Sequence, residues 1–204
     1  MGNPRLRLAS MRRLLLALSL LLAAPGCDRH EWSGTRLDPP MPAPDYTLQT
    51  AGGQEVRPER FRGKLTAMAF GFATCPDVCP TTMQALAEAV DLLPEDARDE
   101  VEVVLVSVDP ERDGPDAIAA YARAFDPGFV GLSGTPEQVA DAAEQLGIFY
   151  EKAAADSSAS AAGYLVDHTA SVYVLDREGR PALLWSFGTT PEEMAADLQA
   201  LLRS

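Results

Sequence analysis

Two cysteines and one histidine are the residues of this chain best suited to metal or redox chemistry. Cys75 and Cys79 have three residues between them and follow an apolar run at 65–72, and His168 stands much later in the chain. Two thiolates and an imidazole suit a cuprous ion, whereas two close thiols suit the reduction of a disulfide in another protein. The sequence supports both uses, and the same ligands are compatible with zinc, which usually takes a fourth ligand.

The cysteine pair is predicted to be functional rather than structural. A disulfide between Cys75 and Cys79 would add little stability, because the entropic gain grows with loop length and this loop is short. Pro80 is predicted to open a helix, which places Cys79 just before the helix N-terminus. The partial positive charge and free N–H groups there favour a thiolate, so the pKa of a thiol at this position is expected to fall.

An aspartate and two methionines are further candidates for a site near the two cysteines. Asp109 ends a predicted strand in the run SVDP, and strand ends of an α/β sheet gather at its functional edge, so Asp109 could orient a ligand or approach the metal. A turn aspartate that accepts backbone N–H groups is an equally good interpretation. Met68 and Met83 are soft donors, but both are predicted to pack in the core. The second histidine, His30, lies near the N-terminus, which leaves His168 as the natural third ligand.

The charge balance narrows the range of partners. The 204 residues include 17 Lys and Arg against 30 Asp and Glu, a formal net charge of −13. Such a surface repels phosphates, which argues against nucleic acid and anionic lipid and is compatible with a basic protein partner. Hydrophobic residues make up 47% of the chain, which is enough for one domain with a sizeable core.

The N-terminal part predicts export and membrane anchoring. Arginines precede an apolar stretch at 14–24, which is shorter than the roughly 20 residues of a bilayer-spanning helix. Residues 1–26 are therefore interpreted as a signal peptide and Cys27 as the lipid-anchor cysteine of a bacterial lipoprotein; a plain signal peptide or an uncleaved short anchor is the alternative. The Pro-rich residues 27–44 predict a tether, and the globular domain is predicted to span 45–204.

The order of predicted elements favours an α/β, thioredoxin-like fold with a central mixed sheet flanked by helices and an N-terminal hairpin. One strand leads directly into the cysteine loop and a helix, and the chain ends in two strands and a helix. Residues 153–163 are rich in alanine and serine and predict a mobile loop. The predicted elements are a hairpin at 46–56, strands at 65–72, 101–108, 128–132, 171–175 and 183–187, and helices at 80–93, 115–125, 135–146 and from Thr190 onward.

Three segments of the chain resemble the Sco/SenC family of copper-binding proteins. They read FGFATCPDVCPTTM, VLVSVDPERDGPDAIAAYARAF and YLVDHTASVYVLDREG, they occur in the family's order, and the resemblance covers most of residues 45–203. A CxxxC followed by proline, an SVDP strand end and a DH[ST] segment are specific in combination, although each alone is weak.

The resemblance implies both a location and a function. It implies a thioredoxin-like domain in the bacterial cell envelope, lipid-anchored at the periplasmic face of the inner membrane. It implies that Cys75, Cys79 and His168 bind copper, as Cu(I) or Cu(II), and that Asp109 takes part in copper handling. The implied role is building the CuA centre in the copper-bearing subunit of cytochrome c oxidase, with other periplasmic copper chaperones as further partners. Such a metallochaperone is a carrier rather than an enzyme, and a Cys75–Cys79 disulfide would gate it, because only the reduced pair binds Cu(I).

Two other functions would use the same cysteines. A thiol–disulfide oxidoreductase would keep the cysteines of the oxidase copper site reduced, with Cys75 and Cys79 as its catalytic redox pair and no need for His168. Against it, common redox motifs have two residues between the cysteines rather than three, and no proline stands just ahead of the strand at 171. A peroxidase is disfavoured because Cys79-Pro80-Thr81 resembles a peroxidatic loop but the spacing supplies no obvious activating Thr or Ser and Arg.

Overall fold

The fold is built around a six-stranded mixed sheet, seen in a computed structural model that describes residues 30–152 and 166–203. The strands are β1 (Thr35–Arg36), β2 (Leu48–Thr50), β3 (Gln54–Val56), β4 (Leu65–Gly71), β5 (Val101–Ser107), β6 (Val130–Leu132), β7 (Tyr150–Lys152), β8 (Val166–His168), β9 (Val172–Leu175) and β10 (Pro181–Trp185). The helices are α1 (Val78–Asp91), α2 (Glu95–Arg98), α3 (Pro115–Arg123), α4 (Pro136–Gln145) and α5 (Pro191–Leu202), with 3-10 turns at Ala51–Gly53 and Pro58–Phe61. The main sheet has the order β1-β10-β9-β4-β5-β6, while β2 pairs with β3 and β7 with β8.

The central strand β4 is buried along its whole length. Side chains of a strand alternate between the two faces of the sheet, so β4 contributes side chains to the hydrophobic cores on both faces. Leu65, Ala67 and Ala69 pack on one face, and Met68 and Phe70 pack on the other. Strand β5 repeats this alternation beside it, which explains why both strands are runs of apolar residues with no polar face.

Each face of the sheet is covered by different elements. Side chains of α1, α3 and α5 form one core with the sheet, and those of α4 and the β2–β3 hairpin form the other. The parallel strands β4 and β5 are aligned from Leu65 opposite Val101 to Gly71 opposite Ser107. Both strands therefore end at the same edge, where the cysteine loop and the segment after Ser107 meet.

The predicted fold class is confirmed, and most predicted elements are present within two or three residues. Thr135 and Thr190 cap α4 and α5 with the reciprocal capping boxes that their sequences allow. Met68 and Met83 are fully buried in the core, as predicted. The β7–β8 pair and the short helix α2 were not predicted, because three- and four-residue elements carry too few positions to show a period.

The predicted start of the first long helix is wrong by two residues. Helix α1 begins at Val78 rather than at Pro80, so Cys79 lies inside the first turn. Proline is tolerated throughout the first turn because the N–H groups there have no helical partner. The proline therefore did not mark the first helical residue.

The compact part of the chain begins before the predicted boundary at 45. The compact unit begins at Trp32, and β1 adds an antiparallel edge strand to β10 within the stretch predicted as tether. The backbone N–H groups of Ser33 and Gly34 donate to the buried carboxylate of Asp197 on α5 at 3.3 and 3.1 Å. Both backbone hydrogen bonds and the partly buried side chains of Trp32, Leu37 and Met41 hold this segment against the rest of the domain. The polar, Pro-rich composition around them did not reveal this packing.

Several sequence predictions lie outside the described residues. They are the signal peptide at 1–26, the lipid-anchor Cys27 and the loop at 153–163. Among the residues that the structure describes, no helix combines the length and the apolar character needed to cross a bilayer.

Candidate metal centre

The end of β4 places both cysteines at one edge of the sheet. Cys75 lies half-buried in the loop after the strand, and Cys79 lies buried in the first turn of α1. The backbone N–H of Cys79 donates to the Sγ of Cys75 at 3.4 Å, and both thiols are free. Gly71 makes this packing possible, because a Cβ at that position would lie 2.7 Å from the Sγ of Cys79.

His168 reaches the same place from β8. Its Nε2 lies 3.6 Å from the Sγ of Cys79, and its Nδ1 lies 3.2 Å from the carbonyl oxygen of Val166. A proton on Nδ1 donates to that carbonyl, which leaves the lone pair of Nε2 directed at the thiol. The ring also meets the ring of Phe72 edge-on, with centroids 5.7 Å apart, and this contact limits its rotation. The structure therefore brings Cys79 and His168 together, as the sequence analysis expected.

The predicted direction of the Cys79 pKa is wrong in the metal-free protein. Burial disfavours the thiolate and raises the pKa of Cys79, and the neighbouring Cys75 thiol raises it further. The helix N-terminus does not outweigh this effect, because Cys79 is only 4% exposed. A bound cation would have to displace the thiol proton, so metal binding at Cys79 releases a proton.

Asp109 lies just after β5 and is paired with Arg112. Its carboxylate is buried and pairs with the guanidinium of Arg112, and its backbone N–H donates to Ser107 Oγ at 3.1 Å. The same guanidinium lies 5.6 Å from the centroid of the Phe72 ring, which in turn contacts His168. Asp109 can therefore influence the site through Arg112 and Phe72, and its part in copper handling stays a prediction.

Asp113 is a residue of the site that the sequence analysis missed. Its carboxylate is 2% exposed and accepts the backbone N–H of Ala73 at 2.8 Å and the hydroxyl of Ser107 at 3.0 Å. It thus fixes the first residues of the cysteine loop to the end of β5. Burial raises the pKa of Asp113 above the ordinary carboxyl value, and the two hydrogen bonds oppose this rise. No sequence signal could have found it, because an aspartate in the polar run ERDG resembles an exposed loop residue.

The three predicted ligands are not yet arranged as a closed metal site. In the described part of the chain, no group of three or more His, Cys, Asp or Glu side chains is placed so that it could hold a metal ion. Cys79 and His168 already face each other, whereas Cys75 is turned toward the backbone N–H of Cys79. A site with three ligands therefore requires the half-exposed Cys75 side chain to rotate toward Nε2 of His168.

Comparison with known proteins decides the family. A family model described as SCO1/SenC matches residues 36–203, which is most of the chain. The chain belongs to the SCO1/SenC family. An SCO2-like protein of Rickettsia conorii is 31% identical to this SCO1/SenC chain over 150 residues, which are 74% of this chain and 72% of the relative.

Two solved structures resemble this SCO1/SenC protein in both sequence and fold. The solution structure of apo Sco1 from Thermus thermophilus has a TM-score of 0.76 and 45% identity, and the match covers 85% of this chain and 99% of the other. ScoI from Bradyrhizobium japonicum, solved with copper bound, has a TM-score of 0.69 and 34% identity, and the match covers 78% of this chain and 98% of ScoI. The fold of this chain is thus shared with a relative that was solved with copper bound.

Proposed function

We propose that this protein is a copper metallochaperone that carries its cargo ion on Cys75, Cys79 and His168. The observation that carries this proposal is the 3.6 Å approach of Nε2 of His168 to the Sγ of Cys79, with Nδ1 held by the Val166 carbonyl. Metal-binding histidines usually donate their second ring N–H to a carbonyl or carboxylate in this way. The copper bound to the Bradyrhizobium relative supports the same cargo.

The donor set fits Cu(I) better than the hard cations. Thiolates are soft ligands that favour Cu(I), and imidazole accepts either copper oxidation state, so Cu(II) is a second form of the cargo. Two sulfurs and one nitrogen leave the ion open to an incoming ligand. A ligand of the acceptor can therefore bind the ion before a ligand of the carrier dissociates. Copper can then be transferred quickly even when the carrier binds it tightly. A disulfide between Cys75 and Cys79 would remove two of the three donors, and we propose it as the form that cannot carry Cu(I).

The proposed acceptor is the copper-bearing subunit of cytochrome c oxidase, where the ion builds the CuA centre. This part of the proposal is supported by the family resemblance, and other periplasmic copper chaperones are the proposed donors of copper. The proposed location is the periplasmic face of the inner membrane, with Cys27 as the lipid anchor. The wild-type protein should incorporate a labelled fatty acid, and replacing Cys27 with serine should abolish the label; a wild type without label, or equal labelling of the two proteins, would contradict the anchor.

Copper titration of the reduced chain 30–204 tests the proposed function. We expect one Cu(I) per chain, and an affinity at least about tenfold lower for His168→Ala, measured by competition with a chromophoric Cu(I) chelator. The matched control is His30→Ala, which removes the other histidine and should leave the affinity unchanged. Equal affinities of the two variants, or tight binding by a Cys75→Ser/Cys79→Ser chain, would contradict the proposal.

A thiol–disulfide oxidoreductase is the second candidate, and one observation favours it. Both thiols are free, and a half-exposed Cys75 beside a buried Cys79 suits attack on a target disulfide by the first and resolution by the second. His168→Ala separates the two functions, since a reductase should retain most of its rate with a model disulfide. A variant that loses copper but keeps reduction would show that the two activities are separable.

A further inference from the structure

An apolar groove opens beside two of the proposed copper ligands. The groove has a volume of about 230 Å³, and Cys75 and His168 lie in its wall. Its other apolar walls come from Phe72, Val78 and Ala170. A molecule that takes copper from Cys75 and His168 can approach through this groove, so the residues that line the groove bear on the chemistry of the acceptor.

Two exposed carboxylates line the groove, and a third is the cross-strand neighbour of one of them. Asp77 and Asp167 line it, and Glu151 on β7 stands directly opposite Asp167 on β8. Like charges in directly opposite positions destabilise a strand pair, so this placement costs stability in the isolated protein. Within the described residues, none of these three carboxylates has a cation at salt-bridge distance.

The nearby cations are engaged elsewhere. Lys152 on β7 pairs with Glu111 at 2.7 Å, and Arg112 pairs with Asp109. Residues 153–165, which connect β7 to β8, contain one acidic and no basic residue, so that segment cannot supply the missing positive charge.

An exposed aromatic ring lies on the same face of the strand pair. The backbone N–H of Phe149 donates to Thr169 Oγ1 at 3.1 Å, next to His168, and its side chain is 62% exposed. The pairing aligns Phe149 with Thr169, Tyr150 with His168 and Glu151 with Asp167. Phe149, Glu151 and Asp167 therefore share one face of the strand pair, and Tyr150 and His168 share the other. The face thus combines an apolar anchor with uncompensated negative charge, the combination that a docking surface for a cationic polypeptide needs.

We propose that this groove and the carboxylates Asp77, Glu151 and Asp167 form the docking surface for the copper acceptor, and that the acceptor presents an apolar segment flanked by Lys or Arg. The proposal rests on the proposed copper-transfer function, because the groove leads to the copper ligands. A second copy of this chain does not fit as occupant, since its own net charge is −13. Opposite charge also speeds the encounter, which suits a carrier that meets its acceptor briefly.

Binding of synthetic peptides to the reduced, metal-free chain 30–204 tests the surface without copper. Three labelled ten-residue peptides are compared by fluorescence anisotropy at low ionic strength: apolar residues flanked by lysines, the same residues flanked by glutamates, and serines flanked by lysines. The test variant is Asp77→Asn/Glu151→Gln/Asp167→Asn. The control variant, Glu55→Gln/Glu95→Gln/Glu144→Gln, changes the net charge equally at exposed positions on other elements.

We expect the lysine-flanked apolar peptide to bind at least about tenfold more tightly than either other peptide, with a preference that falls in high salt. The test variant should lose most of this affinity, while the control variant should change it less than about twofold. Phe149→Ser should weaken binding of the apolar peptide and leave the serine peptide unchanged.

Equal losses in the two charge variants would overturn the proposal, because net charge alone would then explain the binding. A preference that appears only after residues 154–163 are deleted would overturn it as well, since the groove would then be occupied by the chain itself. Copper titration is independent of this result: a chain that binds copper but shows no peptide preference keeps the proposed function and loses the docking surface. A chain that shows the preference but binds no copper loses the proposed function and keeps only a surface that binds cationic polypeptides.

Discussion

At the scale of single residues, the hydrogen bond from Nδ1 of His168 is the feature that decides the chemistry. It directs Nε2 at Cys79, and the ring of Phe72 keeps it there. Residue types and spacing were enough to select Cys75, Cys79 and His168 as candidate ligands, because few residues of this chain bind soft metals, and their role as ligands stays a prediction. They could not predict Asp113, whose importance comes from the backbone N–H of Ala73, a contact that exists only in the folded chain.

The two thiols should react at very different rates. Cys75 is half-exposed, whereas burial of Cys79 raises its pKa and keeps it protonated at neutral pH. Brief alkylation of the metal-free protein at pH 8, followed by peptide mass spectrometry, should therefore modify Cys75 well before Cys79. Preloading with Cu(I) should protect both, and equal modification of the two in the metal-free protein would contradict the burial of Cys79.

Substitutions at Asp113 should separate its hydrogen bonds from its charge. Asp113→Ala leaves the buried N–H of Ala73 without an acceptor, which should lower the free energy of unfolding by about 1–3 kcal/mol. Asp113→Asn keeps one acceptor oxygen and removes a buried charge, so its cost at neutral pH should be much smaller. Urea unfolding of both variants measures the difference, and equal losses would show that the charge rather than the acceptor matters.

The raised pKa of Asp113 also gives a pH dependence with a definite sign. The folded protein holds the proton more tightly than the unfolded chain does, so this group's contribution to stability is greatest at low pH. It falls as the pH rises from the ordinary carboxyl pKa of about 3.9 through the raised value. The free energy of unfolding of the wild type minus that of Asp113→Asn should therefore decline over that pH interval. A difference that rises with pH would contradict a raised pKa of Asp113.

At the scale of elements, the edge strand β1 ties the start of the compact unit to its last helix. Asp197 on α5 accepts the N–H groups of Ser33 and Gly34 and the indole N–H of Trp185, the last at 2.9 Å. The sequence could predict the long strands and helices, because their apolar positions repeat with a clear period. It could not predict β1, since two exposed residues held by backbone hydrogen bonds leave no such pattern.

A chain that begins at residue 45 should be less stable than one that begins at residue 30. The shorter chain lacks β1 and leaves the buried carboxylate of Asp197 without two of its donors, which should cost about 2–4 kcal/mol in free energy of unfolding. Chemical unfolding of the two chains measures the loss. Asp197→Ala should lower the stability of the longer chain more than that of the shorter one, and equal stability of the two starting points would contradict the role of β1.

At the scale of the whole molecule, a helix and a strand position two of the proposed donors, and the third lies in a loop. β4 and α1 fix Cys79, the β7–β8 pair fixes His168, and Cys75 lies in the loop between. Copper held by the three proposed ligands would join these separate elements, and an ion that binds only the folded protein stabilises it by mass action. The order of elements allowed the fold to be predicted, whereas the distance between the thiols and His168 depends on β8, which the sequence did not reveal.

Copper should therefore raise the melting temperature of the reduced protein. At a free Cu(I) concentration 100 times the Kd, the stabilisation is about 2.7 kcal/mol, or roughly 5–10 °C for a domain of this size. Differential scanning fluorimetry with and without a Cu(I) chelator measures the shift. The Cys75→Ser/Cys79→Ser chain should show none, and an equal shift in that variant would place the copper elsewhere on the protein.

X-ray absorption spectroscopy of the Cu(I)-loaded protein, with His168→Ala beside it, tests the proposed three-ligand site most directly. Ligation by Cys75, Cys79 and His168 predicts two sulfur neighbours and one nitrogen neighbour of copper in the wild type, with the nitrogen signal lost or replaced in the variant. A first shell made of sulfur alone, identical in the two proteins, would contradict the account.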